Sequence, residues 1–105
     1  MKRGEIWWAE LPGTARRRPV LLISRDEAYS IRSLVVIAPI TAHVRGIASE
    51  VPLGLKDGLP RFCAANLDTI TTIPKERLLE RLTSLSQQKL EAVEDALHFA
   101  LGLLK

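Results

Sequence analysis

The chain has 105 residues, of which 47% are hydrophobic and 26% charged, with a net charge of +3. This composition excludes a disordered polymer and is the size of one domain, expected to span residues 1–105. The lone Cys63 excludes a disulfide scaffold and suits a reducing cytoplasm. No run of about 18 apolar residues is present, and Met1-Lys2-Arg3-Gly4-Glu5 lacks the apolar run of a secretory signal. A cytoplasmic protein with no membrane partner is expected.

Along the chain, residues 5–10 (Glu-Ile-Trp-Trp-Ala-Glu) suit a strand. Trp7 and Trp8 are adjacent, so at most one can face the core. Leu11-Pro12-Gly13-Thr14 reads as a turn. Pro19 then opens Val20-Leu21-Leu22-Ile23, an apolar run too short for a helix and read as a doubly buried strand. Residues 25–32 suit a loop with a helical turn. Leu34 to Ile40 is the next strand, with Pro39 marking a bulge, an edge or its end. Ala48 to Leu53 form another, and Gly54 to Pro60 a turn. Residues 62–73 hold one long strand or two short ones, ending at Pro74. Lys75 to Leu79 suit a short helical turn followed by a few extended residues. Ser86 is an N-cap candidate, opening a helix whose apolar stripe is Leu90, Val93, Leu97, Leu101 and Leu104. The expected fold is mainly β with a C-terminal α-helix, a small, partly open SH3-like barrel.

No glycine-rich phosphate loop, HExxH, CxxC or GxSxG is present, and no carboxylate or histidine cluster has metal-ligand spacing. No cofactor or metal is expected, and chemistry falls to Arg, Thr, Asp, Asn or His. Three places offer it. Arg16, Arg17 and Arg18 stand at the lip of a buried strand. Arg18 is nearest the scaffold, and its planar guanidinium suits a phosphate; for Arg16 and Arg17 a solvated loop is the favoured account of the charge. Thr41 and His43, two apart at a strand's end, share a face if the chain stays extended. A threonine there also serves turns. Asn66 and Asp68 share one strand face, which is either a cleft or an ordinary solvent surface.

Four segments, in order, resemble the MazF/PemK (Kid-like) toxin family. Arg3-Gly4-Glu5-Ile6-Trp7 resembles its opening R-G-[DE]-[IV]-[WY]. Arg18-Pro19-Val20-Leu21-Leu22-Ile23 resembles R-P-V-L-[VI]-[IV], Pro39-Ile40-Thr41 resembles P-[IV]-T, and Thr72-Ile73-Pro74-Lys75-Glu76-Arg77-Leu78 resembles T-[IV]-x-[KR]-x-R-L. Together they cover nearly the whole chain.

The resemblance implies an SH3-like barrel, a homodimer, selective cleavage of single-stranded RNA, and a cognate antitoxin with a disordered, acidic segment. By position it implies catalytic roles for Arg18, Thr41 and Asp68; Arg16, Arg17, His43 and Asn66 are placed as RNA contacts. The chain departs from the family where Asn66 and Thr71 replace arginines, and its loop from Pro12 to Arg17 is short. RNA brings its own nucleophile, the ribose 2′-hydroxyl, so the expected products are a 2′,3′-cyclic phosphate and a 5′-hydroxyl. Arg18 would stabilise phosphoryl charge, Thr41 would bond a phosphate oxygen, and Asp68 or His43 would be the base. Two alternatives stand beside this reading: a CcdB-like gyrase poison, disfavoured by a C-terminus without an aromatic residue, and a non-catalytic RNA-binding barrel.

Overall fold

The structure, a computed structural model, describes residues 1–13 and 15–103. Its elements are β1 (Glu5–Glu10), β2 (Arg17–Leu22), α1 (Ala28–Ile31), β3 (Leu34–Thr41), β4 (Glu50–Leu53), β5 (Cys63–Asn66), β6 (Thr71–Pro74), β7 (Leu78–Ser84) and α2 (Gln87–Leu101). Every strand pairing is antiparallel. The sheet runs β4-β5-β3-β2-β1-β7, with β6 paired to β3 off that path. The expected β-rich chain with a C-terminal helix is therefore present. Among the described residues the barrel stays open, since no pairing joins β7 to β4.

Three prolines sit inside strands; Pro52 is on the edge strand β4, and the ladder explains the other two. β2 begins at Arg17, ahead of Pro19, because Glu10 and Arg17 already pair across β1. Pro19 pairs with Trp8 on that side, while the ladder to β3 starts only at Val20, so no second strand needs the donor it lacks. β3 likewise runs through Pro39 to Thr41. Its second edge is taken by β6 over Leu34–Ile37 and by β5 over Ile40–Thr41. Pro39 falls in the handover between those partners, where a missing N–H costs no ladder bond.

The central strands are apolar on both faces. One face sets Ile6, Leu21 and Ala38 against Leu53, Leu67, Val93 and Ala96. The other sets Ala9, Val20, Leu22, Val35 and Ile37 against Tyr29, Ile73 and Leu78. Leu21 and Ile37 are completely buried, each such side chain stabilising the fold by roughly 1.5–3 kcal/mol. The Tyr29 hydroxyl donates to the Ser24 carbonyl at 3.3 Å. Burial pushes its pKa up to about 12, against the opposing pull of that hydrogen bond.

Helix α2 starts as its cap predicts, with Ser86 Oγ accepting from the Lys89 amide at 3.2 Å, and ends on Gly102 in the left-handed region at φ 67°. The expected stripe is corrected. Val93 and Ala96 are the buried residues, Leu90 and Leu97 are half-buried, and Leu101 is exposed. Alanines let the helix lie close to β4 and the turn after β5, which rotates the buried line toward Ala92, Ala96 and Ala100. Leu104 lies outside the described residues. Lys89 reaches from α2 to the Pro52 carbonyl at 2.7 Å.

Residues 62–73 resolve into two strands, with a 3-10 turn at Leu67–Thr69 between them. The expectation that Asn66 and Asp68 share a strand face is therefore corrected. Asn66 ends β5, and its Oδ1 accepts from the Asp68 amide at 3.0 Å, folding the chain into the turn. β7 follows the short turn at Lys75–Arg77 and is a full strand of seven residues, held along β1.

Candidate functional site

Arg18 and Thr41 are brought together by register. Val20 pairs with Pro39 across β2 and β3. The same register continued two residues toward the strand ends sets Arg18 opposite Thr41. Directly opposed residues of an antiparallel pair share a face. Arg18 also pairs with Ala9, and Ala9 and Val20 are core residues of that face. The Arg18 guanidinium is thus carried at the exposed end of an apolar strand whose interior is fixed.

The other face of the same strand ends forms a cleft of about 370 Å³. Trp8, Pro19 and Ile40 make its floor, Arg16, Arg17 and Arg18 border one side, and Leu59, Pro60 and Arg61 the other. Of the adjacent tryptophans, Trp7 packs on the Val20 core face while Trp8 lines this cleft. Arg17 is no free loop cation. Its guanidinium lies 5.1 Å from the Trp8 ring centroid and pairs with Glu80 at 2.8 Å. Arg61 had no role in the sequence reading because it follows a turn and carries no local pattern. Only the long-range packing of that turn sets it across from Arg16–Arg18. Cys63 also lines the cleft. Burial pushes its thiol upward, Arg61 pulls it down and Asp57 adds to the rise.

The segment between β3 and β4 ties the remaining site residues together. β3 and β4 both run antiparallel to β5, on its two sides, so they are parallel to each other. Residues 42–49 must therefore cross over β5 to return to the start of β4. Cys63 and Ala65 face the Leu21 core. Ala64, on the opposite side, is completely buried although it belongs to neither core. It lies on the face that carries Thr41, with which it pairs.

Both ends of the crossing are fastened. Thr41 Oγ1 accepts from the His43 amide at 3.0 Å, which turns the chain out of β3 and leaves His43 exposed beside Thr41. At the far end Ser49 Oγ donates to Asp68 Oδ2 in a short bond. The Glu50 carboxylate accepts from the amides of Arg45 at 2.9 Å and Gly46 at 3.1 Å, and from Arg45 Nε at 3.3 Å. Burial alone would raise the Glu50 carboxyl. Those hydrogen bonds and the Arg45 charge overcome it and hold the group below its ordinary value.

Arg18, Thr41 and His43 thus converge at one pair of strand ends. Asp68 stands at the other end of the crossing segment, four residues past Ala64. The Asn66 side chain is turned back into its own strand end. Among the described residues no three His, Cys, Asp or Glu side chains converge as metal ligands, and no helix is long and apolar enough to cross a membrane.

An arginine and a threonine opposed at neighbouring strand ends, with a cationic cleft alongside, sit on a small open β-sheet. The chain belongs to the PemK-like, MazF-like toxin family of type II toxin–antitoxin systems, whose model matches residues 2–101. It is 39% identical over 99 residues to a probable endoribonuclease, MazF5 of Mycobacterium tuberculosis, covering 93% of this chain and 90% of that protein. It is 30% identical over 112 residues to the endoribonuclease EndoA of Bacillus subtilis, covering 99% and 97%. Among solved structures it is similar to the M. tuberculosis toxin MazF-mt6, with TM-score 0.88, 32% identity and 96% and 99% coverage. It is also similar to a mycobacterial endoribonuclease solved with its cognate antitoxin, with TM-score 0.87, 27% identity and 100% and 98% coverage.

Proposed function

We propose that this chain is an endoribonuclease toxin that cuts single-stranded RNA through the substrate's own 2′-hydroxyl. The observation that carries the reading is the register that sets Arg18 opposite Thr41 at strand ends whose other face forms a cationic, tryptophan-lined cleft that Arg18 also borders. Relatives named as endoribonucleases at 39% and 30% identity support it.

In this mechanism the 2′-oxygen attacks the adjacent phosphorus as a base takes its proton. The bond to the 5′-oxygen breaks and that oxygen gains a proton, leaving a 2′,3′-cyclic phosphate and a 5′-hydroxyl. Arg18 holds the phosphoryl oxygens and stabilises the charge that develops on them. The Thr41 hydroxyl donates to a phosphate oxygen while its lone pair keeps the His43 amide. His43 and Asp68 are the two groups able to take the proton. Flanking nucleotides run over Arg16 and Arg17, with His43 and Asn66 at the other border. DNA binds the same cations but lacks the nucleophile and survives.

The toxin acts in the cytoplasm as a homodimer and is silenced by a cognate antitoxin with a disordered, acidic segment, which the cations Arg16, Arg17 and Arg61 complement. Purified protein incubated in EDTA with a long single-stranded RNA and its DNA counterpart tests the reaction. Discrete RNA cuts ending in 5′-hydroxyls, with DNA intact, are expected. A requirement for added magnesium overturns the metal-free route, and no cutting across varied RNAs overturns the ribonuclease.

A further inference from the structure

Only three polar or charged residues are buried among those described: Glu5, Ser49 and Glu50. Two of them are adjacent, and both spend their hydrogen bonds on the segment that crosses β5. Ser49 ties its end to Asp68. Glu50 is the more costly of the two, since its side chain is 1% exposed and an ionised carboxylate is disfavoured there unless bonded.

Its partners are informative. Arg45, the only cation it pairs with among the described residues, is 48% exposed and therefore a screened, partial counter-charge. The closer contacts are the backbone amides of Arg45 and Gly46, charge-assisted bonds to a loop. Gly46 sits at φ 71°, the left-handed region that a tight turn here demands. A residue needed only to complete the core would be apolar, as Val51 and Leu53 are further along the same strand. Glu50 instead grips the middle of the segment that leaves β3 at Thr41 and carries His43.

We propose that Glu50 is a positioning residue. By fixing the turn at Arg45–Gly46 it holds the segment that leaves β3 at Thr41, and so sets His43 where the reaction needs it. This rests on the ribonuclease reading for its catalytic half. Misplacing a reacting group by about 1 Å costs on the order of 100-fold in rate, while Thr41 and Arg18 stay on strands whose pairing does not involve Glu50.

The test compares wild type, Glu50→Ala and Glu50→Gln by amide hydrogen exchange, thermal unfolding, and kcat and KM on a single-stranded RNA oligonucleotide. In Glu50→Ala the Arg45 and Gly46 amides should exchange at least about tenfold faster, in line with losing a net ~1.4 kcal/mol of protection. Unfolding should stay cooperative, and kcat should fall on the order of 100-fold with a smaller change in KM. Glu50→Gln, which keeps the volume and one acceptor, should lie between, and it carries the test if the alanine variant does not fold. Arg45→Ala, which leaves both amides on the carboxylate, should keep them protected. Unchanged exchange in folded Glu50 variants overturns the proposal, as does faster exchange with wild-type kcat. Wild type that cuts no RNA overturns the ribonuclease reading and the catalytic half with it, and the exchange rates still decide whether Glu50 holds the segment.

Discussion

Gly58→Ala tests how the far wall of the cleft is held. Gly58 closes the short helical turn Leu55–Asp57 with φ 92°, and the next three residues, Leu59, Pro60 and Arg61, are that wall. An alanine in the left-handed region costs about 1–2 kcal/mol. Its Cβ would also meet Thr83 of β7, with the Thr83 Cβ only 2.7 Å away and its hydroxyl closer still. Thr83 cannot step aside, because a β-branched side chain is stiff and its hydroxyl donates to the Asp57 carbonyl at 3.0 Å. Overpacking of this kind adds about 1–3 kcal/mol, for a total of about 2–5 kcal/mol against a domain stability of about 5–15 kcal/mol. Urea unfolding followed by tryptophan fluorescence should show that loss, and thermal melting should drop by about 10 °C or more. In a Thr83→Ala background the Cβ clash remains but the hydroxyl and methyl are gone, so the cost of Gly58→Ala should shrink by about 1 kcal/mol. A Gly58→Ala variant within about 0.5 kcal/mol of wild type would refute the reasoning.

Three other outcomes are expected. Arg18→Ala should lower kcat/KM by on the order of 100–1000-fold with an unchanged circular dichroism spectrum, checked by single-turnover cleavage, since the variant loses a donor aimed at developing charge. The pH–rate profile should assign the base. An acid limb that disappears in His43→Ala and persists in Asp68→Asn identifies the imidazole, and the converse identifies the carboxylate. Acid stability should depend on Glu50. Its folded pKa is depressed, so its contribution is present above the unfolded value of about 4.3 and is lost as pH falls through the folded value. Urea titrations below that pH should therefore show a flatter decline for Glu50→Gln than for wild type.

Features with short-range causes were legible in the sequence. Ser86 caps α2 because its hydroxyl reaches an amide three residues on, and Arg18 was placed at the lip of a strand by the apolar run behind it. The 3-10 turn at Leu67–Thr69 was also written locally, as an asparagine two residues before Asp68 whose side chain bends the chain back. Reading alternation there as a strand missed it. Other features have no local signal. Pro39 is tolerated only because β6 and β5 divide one edge of β3. Arg61 joins the cleft only through the packing of a distant turn. The crossing from β3 to β4 over β5 likewise lives in the strand order and not in the residues that make it.

Lys89 and Pro52 carry a consequence for the edge of the sheet. β4 ends the sheet's path, and such an edge is ordinarily a template on which another chain can lay a strand. At its middle Pro52 has no N–H to offer, and its carbonyl is already taken by the Lys89 ammonium. An incoming strand would find neither a free donor nor a free acceptor there, and would meet the Lys89 ammonium besides. The ladder that an added strand needs is therefore interrupted at the middle of this edge.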